Sequence, residues 1–236
     1  MYGEAARLYD LIHSAKGRDP DSEADLFVRE IRLRNPEAQT LLDVACGTGA
    51  NLNRFSESFA VTGLDASRDM LAIARERCPN IPLVESDMRS FNLDTRFDAV
   101  VSVFSGIGYL TEESDLRRAV MTMASHLRPS GLLVLEGWVE PDEWLGPSVA
   151  ADSFQAGDIA VARVTTSDAE GVRSSFTTRY TVATLDGIST IDEHHVLRLS
   201  DPEEFESAYR EAGLTFERLP SFIRPGRGVY VGVAAR

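Results

Sequence analysis

The chain has 236 residues, 43% hydrophobic and 26% charged, a balance that builds a folded core and excludes both a disordered chain and a disulfide-stapled miniprotein. Its formal charge of −13 opposes a nucleic-acid backbone or an anionic membrane surface, and no basic stripe reverses this locally. The two cysteines, Cys46 and Cys78, are spaced for neither a zinc cluster nor a disulfide framework, so no metal site is expected and a reducing cytoplasm is the expected setting. The first residues lack a basic start followed by an apolar run, and no stretch approaches the roughly 18 apolar residues of a bilayer span, so neither export nor membrane insertion is expected.

Residues 1–39 have a helical pattern and stand apart from any strand pattern, which suits a lid. From Thr40 to Leu135, short apolar runs alternate with helical spacing, the pattern of a parallel sheet with crossover helices. The runs are 40–45, 60–65, 81–86, 97–104 and 131–136. Leu116, Val120, Met123 and Leu127 share one helical face, and Arg128-Pro129-Ser130-Gly131 is expected to stop that helix and turn into the next strand. His126 at the helix end is expected to supply a favourable positive charge, and His13 to sit at the surface or in packing. Beyond Glu136 the runs 158–166, 176–184 and 191–199 alternate in polarity between turn signals, predicting an antiparallel, hairpin-rich insertion. Asp201-Pro202-Glu203-Glu204 reads as an N-cap, a first-turn proline and a capping-box glutamate, with Gly213 closing the helix and strands at 215–220 and 228–235 after it. The expectation is one α/β domain over 1–236: a lid (1–39), a cofactor core (40–138), an antiparallel β insertion (139–199) and a C-terminal helix with the last two core strands (200–236).

The stretch from Leu41 to Ala50 runs from a buried strand into a turn containing Gly47 and Gly49 and then a helix, and glycine lets backbone approach a ligand closely. Leu52 stands where a dinucleotide fingerprint needs its third glycine, and no Gly-Lys-Ser or Gly-Lys-Thr follows, so neither a pyrophosphate fingerprint nor a P-loop is present. Asp43 lies on this strand. Asp65, at the end of the second strand, suits both hydroxyls of a ribose. Asp87, at the end of the third, suits an adenine amino group, with Met70 and Met88 as polarizable surface for a flat ring. Together they describe a nucleoside cleft at the carboxyl edge of the sheet.

With Asp43-Val44-Ala45-Cys46-Gly47-Thr48-Gly49 as its first motif, the sequence resembles the class I S-adenosylmethionine-dependent methyltransferases over essentially its whole length. The resemblance implies a Rossmann-like seven-stranded sheet with helices on both faces and its last strand antiparallel. It implies S-adenosylmethionine as cofactor and S-adenosylhomocysteine as product, with ribose on Asp65 and adenine near Asp87 and Met88. Ala45, Ala66, Met70 and Phe104 complete the cofactor wall, and either Lys16 or Arg18 meets the methionine carboxylate. Ala45 replaces a glycine found in many members.

A narrower resemblance is to the N,N-dimethyltransferases of nucleotide-linked amino sugars, carried by Tyr9-Asp10-Leu11, Lys16-Gly17-Arg18-Asp19, Phe104 to Leu110, Glu136 with Trp138 and Pro141, Ala162-Arg163-Val164, His195 and Gly226-Arg227-Gly228. Val139, Glu140, Ser175 and Arg179 depart from that pattern. The resemblance implies N-methylation of a dTDP-linked deoxy amino sugar in natural-product biosynthesis, and a homodimer. Tyr9, Tyr109 and His195 become candidate proton acceptors. One of His194 and His195 must face inward, because they are neighbours in an alternating strand. Tyr9, Tyr109, Trp138, Arg163, His195 and Arg227 are candidate substrate contacts, Arg227 and then Arg163 for the two phosphates. Two alternatives stand beside this: a hydroxyl or carboxylate acceptor, and a non-catalytic protein that retains the cofactor cleft.

Overall fold

The computed structural model describes residues 6–220 and 224–235. Two sheets carry it. Strands β1 (Thr40–Val44), β2 (Ala60–Asp65), β3 (Leu83–Glu85), β4 (Phe97–Ser102), β5 (Leu127–Val139), β10 (Glu217–Leu219) and β11 (Arg227–Val233) form a seven-stranded sheet in the order β10-β11-β5-β4-β1-β2-β3. Neighbours from β3 to β5 pair parallel, while β11 runs antiparallel to both β5 and β10. Strands β6 (Ser148–Ala156), β7 (Ile159–Glu170), β8 (Arg173–Thr184) and β9 (Gly187–Arg198) form the antiparallel insertion, in sequential order.

The apolar runs of the core strands exist because helices cover both faces of that sheet. Leu42, Val44, Leu133 and Leu135 point to one face, where they pack with Leu116, Val120 and Met123 of α5 (Glu113–Ser125) and Phe205 and Tyr209 of α6 (Pro202–Glu211). Leu41, Leu132 and Val134 point to the other, against Phe27 and Ile31 of α2 (Pro20–Arg34) and Leu52 and Phe55 of α3 (Leu52–Ser56). The insertion buries one face only: Val161, Tyr180 and Val182 pack on Leu8 and Ile12 of α1 (Ala6–Ala15). Its outer face leaves Val149 and Val164 exposed.

Five points about the elements need correction. Leu127 belongs to β5 rather than to the helix before it. Phe97 pairs with Leu127 but Ala99 with Leu132, so Arg128–Gly131 bulges out of a continuing strand instead of turning into a new one. Strand β6 was not foreseen, because Ser148–Ala156 lies at the sheet edge and lacks a clear alternation of burial. Asp201 caps α6 by accepting from the Glu203 N–H at 2.9 Å, but Glu204 takes the Arg198 guanidinium (Nε, 2.8 Å) and so serves β9. His126 is buried and accepts the Leu93 N–H on Nε2 at 2.9 Å, which leaves Nδ1 to donate to the Thr122 carbonyl at 2.7 Å. It is a neutral tie between α5 and the loop before β4, not a cationic helix cap.

Candidate active site

Because β1 to β4 are parallel, their carboxyl ends share one edge, and the loops that follow them enclose a cavity of about 460 Å³. The loop after β1 turns by left-handed backbone at Ala45 (φ 61°), Gly47 (φ 56°) and Gly49 (φ 73°). A Cβ on Gly47 would enter open space, so the glycine serves its conformation and leaves the main chain uncovered toward the cavity. Ala45 holds the same region with a methyl group, a strained state accommodated by Gly106, where an added Cβ would come within 2.6 Å of the Ala45 Cβ.

The Asp65 carboxylate accepts the Gly47 N–H (2.8 Å) and the Ser67 N–H (2.7 Å), joining the loop after β1 to the start of α4 (Arg68–Arg77). Burial raises its pKa against those donors. Asp43, in the same wall, has a buried Oδ1 without a hydrogen-bond partner. Burial, with Asp65 adding like charge, pushes its carboxyl up to about 8. Asp87 stands two residues past β3. Both its oxygens take the Arg89 fork, with Nε at 2.9 Å from Oδ1 and Nη2 at 2.5 Å from Oδ2, and Arg89 also reaches Asp115 at 2.7 Å. An adenine amino group would therefore share that carboxylate with Arg89. Ala66, Met70 and Met88 line the cavity.

The N-terminal helices close one side. Asp10 of α1 accepts from Thr48 Oγ1 (2.8 Å) and Arg77 (2.6 Å), tying the helix to the glycine loop. Tyr9 and Arg18 line the cavity, whereas Lys16 does not and points to Asp152 at 3.9 Å. Arg18 is held by Glu23 (3.0 Å), Asn51 (2.9 Å) and the Phe104 ring, 3.8 Å beneath its guanidinium. A donorless carboxyl at Asp43, uncovered main chain at Gly47 and an anchored guanidinium at Arg18 fit a cationic nucleoside that carries one carboxylate.

After β4 the chain makes two successive left-handed residues, Phe104 and Ser105, both at φ 63°. Non-glycine residues hold that region only under constraint. Glu136 on β5 accepts the Phe104 N–H at 2.5 Å, and Ser105 Oγ donates to the Gly137 carbonyl at 2.6 Å. Arg227 donates to Ser105 Oγ at 2.9 Å, stacks over Trp138 at 4.4 Å and lies 3.7 Å from Glu136. Burial raises the Glu136 pKa and lowers that of Arg227. This turn presents Tyr109, whose hydroxyl lies 2.9 Å from His195 Nδ1. His195 is buried and His194 exposed, as strand alternation requires. Gly108 is needed because a Cβ there would come within 2.9 Å of Trp138.

Of the expected substrate residues, Tyr9 and Tyr109 line the cavity; Trp138, Arg163, His195 and Arg227 stand outside its wall. Arg163 is engaged by Asp152 across the β6–β7 pair, and Trp138 Nε1 donates to Ser174 at 2.9 Å. Departures from the resemblance pattern also resolve. Arg179 is exposed on the outer face and pairs with Asp192, while Glu140 takes Arg218 and Tyr230. Sequence reasoning missed Asn51, Arg89 and Glu193. Arg89 follows Asp87 by two residues, a spacing that allows a fork onto the preceding carboxylate; Glu193 shares the inner strand face with His195 and was legible from period two.

Sheet order, reversed last strand and glycine loop define a class I methyltransferase. The family profile described as "Methyltransferase domain" matches residues 41–131. The chain is 42% identical to dTDP-3-amino-3,6-dideoxy-alpha-D-glucopyranose N,N-dimethyltransferase of Streptomyces fradiae, over 98% of this chain and 91% of that one. Among solved structures it superposes on DesVI of Streptomyces venezuelae with a TM-score of 0.93 at 40% identity, covering 98% and 99% of the two chains. It superposes on SAM-bound CalS10, an amino pentose methyltransferase of Micromonospora echinaspora involved in calicheamicin biosynthesis, with a TM-score of 0.89 at 34% identity over 97% of each. The chain belongs to the amino-sugar N,N-dimethyltransferases, enzymes that use S-adenosylmethionine.

Proposed function

We propose that this enzyme methylates the amino group of a dTDP-linked deoxy amino sugar, twice, in the biosynthesis of a natural product. The carrying observation is that the likeness to amino-sugar enzymes spans 98% of the chain, through the insertion and the last strand, whereas the general methyltransferase profile stops at residue 131. Relatives that shared only the donor would match in the core and diverge where the acceptor binds.

Bound S-adenosylmethionine supplies an electrophilic methyl group on a sulfonium sulfur. Asp43 and Asp65 favour that positive charge and the ribose hydroxyls, Arg18 takes the methionine carboxylate in preference to Lys16, and Met70 and Met88 bracket the base beside Asp87. Of the 1–39 lid, whose first five residues lie outside the described ones, residues 6–39 close the site, with α1 sealed to the glycine loop through Asp10. Tyr9 and Tyr109 hold the acceptor amine over the donor with its lone pair aligned, which is where in-line displacement gains most. From outside the cavity wall, Trp138 and Arg227, with Arg163 behind, back the acceptor end, where the two arginines add positive charge on the diphosphate side. The four segments 1–39, 40–138, 139–199 and 200–236 work as one domain, since the last supplies two strands to the core sheet.

The net charge of −13 supports a small-molecule partner and no nucleic acid. No helix among the described residues is long and apolar enough to cross a membrane, and the free thiols Cys46 and Cys78 suit a reducing cytoplasm. Val149 and Val164 on the outer face of the insertion give a homodimer its contact; Val164→Glu should then shift a sizing column from dimer to monomer. The substrate test is a panel of dTDP amino sugars with S-adenosylmethionine. A mass gain of two methyl groups is expected on at least one, and none on the matched hydroxyl sugars. Methylation of a hydroxyl sugar alone would refute the assignment.

A further inference from the structure

We infer that Glu193 is a positioning residue for proton removal from the acceptor, acting through His195 on the Tyr109 hydroxyl. The inference rests on the amine assignment above and adds the direction of the proton and its destination.

Three groups from two elements, the turn after β4 and strand β9, stand in line. Tyr109, from the turn after β4, lines the cavity and lies 2.9 Å from His195 Nδ1. On the far side of the ring, Nε2 lies 3.3 Å from Glu193 Oε2. The side chains of His195 and Glu193 are only 4% and 10% exposed. Phe176 stacks on the imidazole with centroids 4.8 Å apart, which fixes its plane. Burial and the neighbouring Glu193 carboxylate push the pKa of Tyr180 up to about 12. A carboxylate oxygen that faces a ring nitrogen acts as the acceptor, so the Nε2 of His195 carries the ring proton. The tautomer then follows: Nδ1 is bare, and Tyr109 must donate its O–H to it. A phenol oxygen that donates retains lone pairs with which to accept, so Tyr109 is polarised to receive an N–H from the cavity side.

The proton balance is complete. An acceptor arriving as R–NH3+ gives one proton to the Tyr109 oxygen as the Tyr109 proton passes to His195 Nδ1. The products are R–NH2 and an imidazolium whose charge faces Glu193. The nitrogen lone pair then forms the N–C bond while the C–S bond breaks, with its electron pair leaving on sulfur. The imidazolium releases its proton to solvent before the second round, and the methylated ammonium supplies the next one. A buried carboxylate beside a ring that becomes cationic stabilises the charged form, as it does in orienting dyads generally. Other charged or titratable groups face this line. Arg163 and Asp152 act on Tyr180 from β7 and β6, Tyr9 and Arg18 line the cavity with Tyr109, and Tyr109, Arg18, Asp10 and Arg227 act on Tyr9.

The test compares the wild-type enzyme with Glu193→Gln, Tyr109→Phe and the double variant, measuring kcat and KM from pH 6 to pH 9.5 on the dTDP amino sugar the panel identifies. Donor affinity by calorimetry checks that each variant folds. Glu193→Gln should lower kcat by roughly 10- to 100-fold, within the range of general base effects. It should leave acceptor KM within about threefold and move the acidic limb of the kcat profile to lower pH, because a carboxylate that favours the cation is gone. The double variant should lose no more than the worse single one, since both act on one proton path. Unchanged kcat and limb in Glu193→Gln, or a loss confined to KM, would overturn the inference. A second arm needs no acceptor: in protein labelled with 15N-histidine, His195, assigned by His195→Gln, should show the Nε2–H tautomer. An Nδ1–H tautomer refutes the relay whatever the panel gives, while a barren panel with the Nε2–H tautomer refutes the substrate assignment and leaves the relay standing.

Discussion

Asp43 carries a conflict between folding and ligand binding. Its carboxyl is raised to about 8 from an ordinary value of 3.8, because burial and the Asp65 charge both disfavour ionisation. A group with a raised acidic pKa binds its proton more tightly in the folded state, so between about pH 4 and pH 8 this residue makes the cofactor-free protein less stable as pH rises. Asp43→Asn removes that dependence. The variant should melt higher than wild type at pH 7.5 in the absence of cofactor, with the advantage shrinking toward pH 4, yet bind S-adenosylmethionine at least tenfold more weakly. Calorimetry in buffers of different ionisation enthalpy should show wild type releasing close to one proton on binding at pH 7, and the variant releasing fewer. Arg18 and Lys16 separate in the same assay. Losing a charged hydrogen bond costs about 1.5–3 kcal/mol, so Arg18→Ala should weaken cofactor binding by roughly 10- to 100-fold, while Lys16→Ala, outside the cavity wall, should change it less than threefold. Sequence alone left these two cations equivalent, two residues apart in one loop. The Phe104 ring and Asn51, 86 and 33 positions from Arg18, chose between them.

Elements were legible in proportion to how local their cause is. The cap of α6 is written in consecutive residues, and Asp201→Ala should cost about 1 kcal/mol in urea denaturation. The left-handed pair Phe104–Ser105 is different. Its support comes from Glu136, Gly137 and Arg227 on β5 and β11, so nothing near Phe104 announces it. Arg227 was expected to face a diphosphate from its glycine-flanked position. It is also the internal brace of this turn, and Arg227→Lys, which keeps charge but loses the planar fork and its stack on Trp138, should lower melting temperature and kcat together. A drop in acceptor affinity alone, with stability intact, would show that bracing is not its main task. The β5 bulge shows the same limit. Pro129 and Gly131 are turn formers by local chemistry, but pairing with β4 on either side, and with β11 from Leu132 onward, keeps them within a strand.

For the whole molecule, cofactor binding should be stabilising because the cavity is shared by the lid, the glycine loop and three strand ends. At a cofactor concentration about 100 times Kd, the gain is about 2.7 kcal/mol, visible as a rise in melting temperature. Asp10→Ala, which unties α1 from Thr48 and Arg77, should reduce that rise. The succession of parallel strands along the chain, the glycine turn and the acids at successive strand ends could be read from the sequence, because hydrophobic period and glycine placement are set within a few residues. The reach of Arg89 to Asp115, the neutral state of His126, the face to which Arg179 turns and the line from Tyr109 to Glu193 came only with the tertiary structure. Each depends on where a side chain's charge or proton finds a partner, and those partners are brought near by packing of elements far apart in the chain.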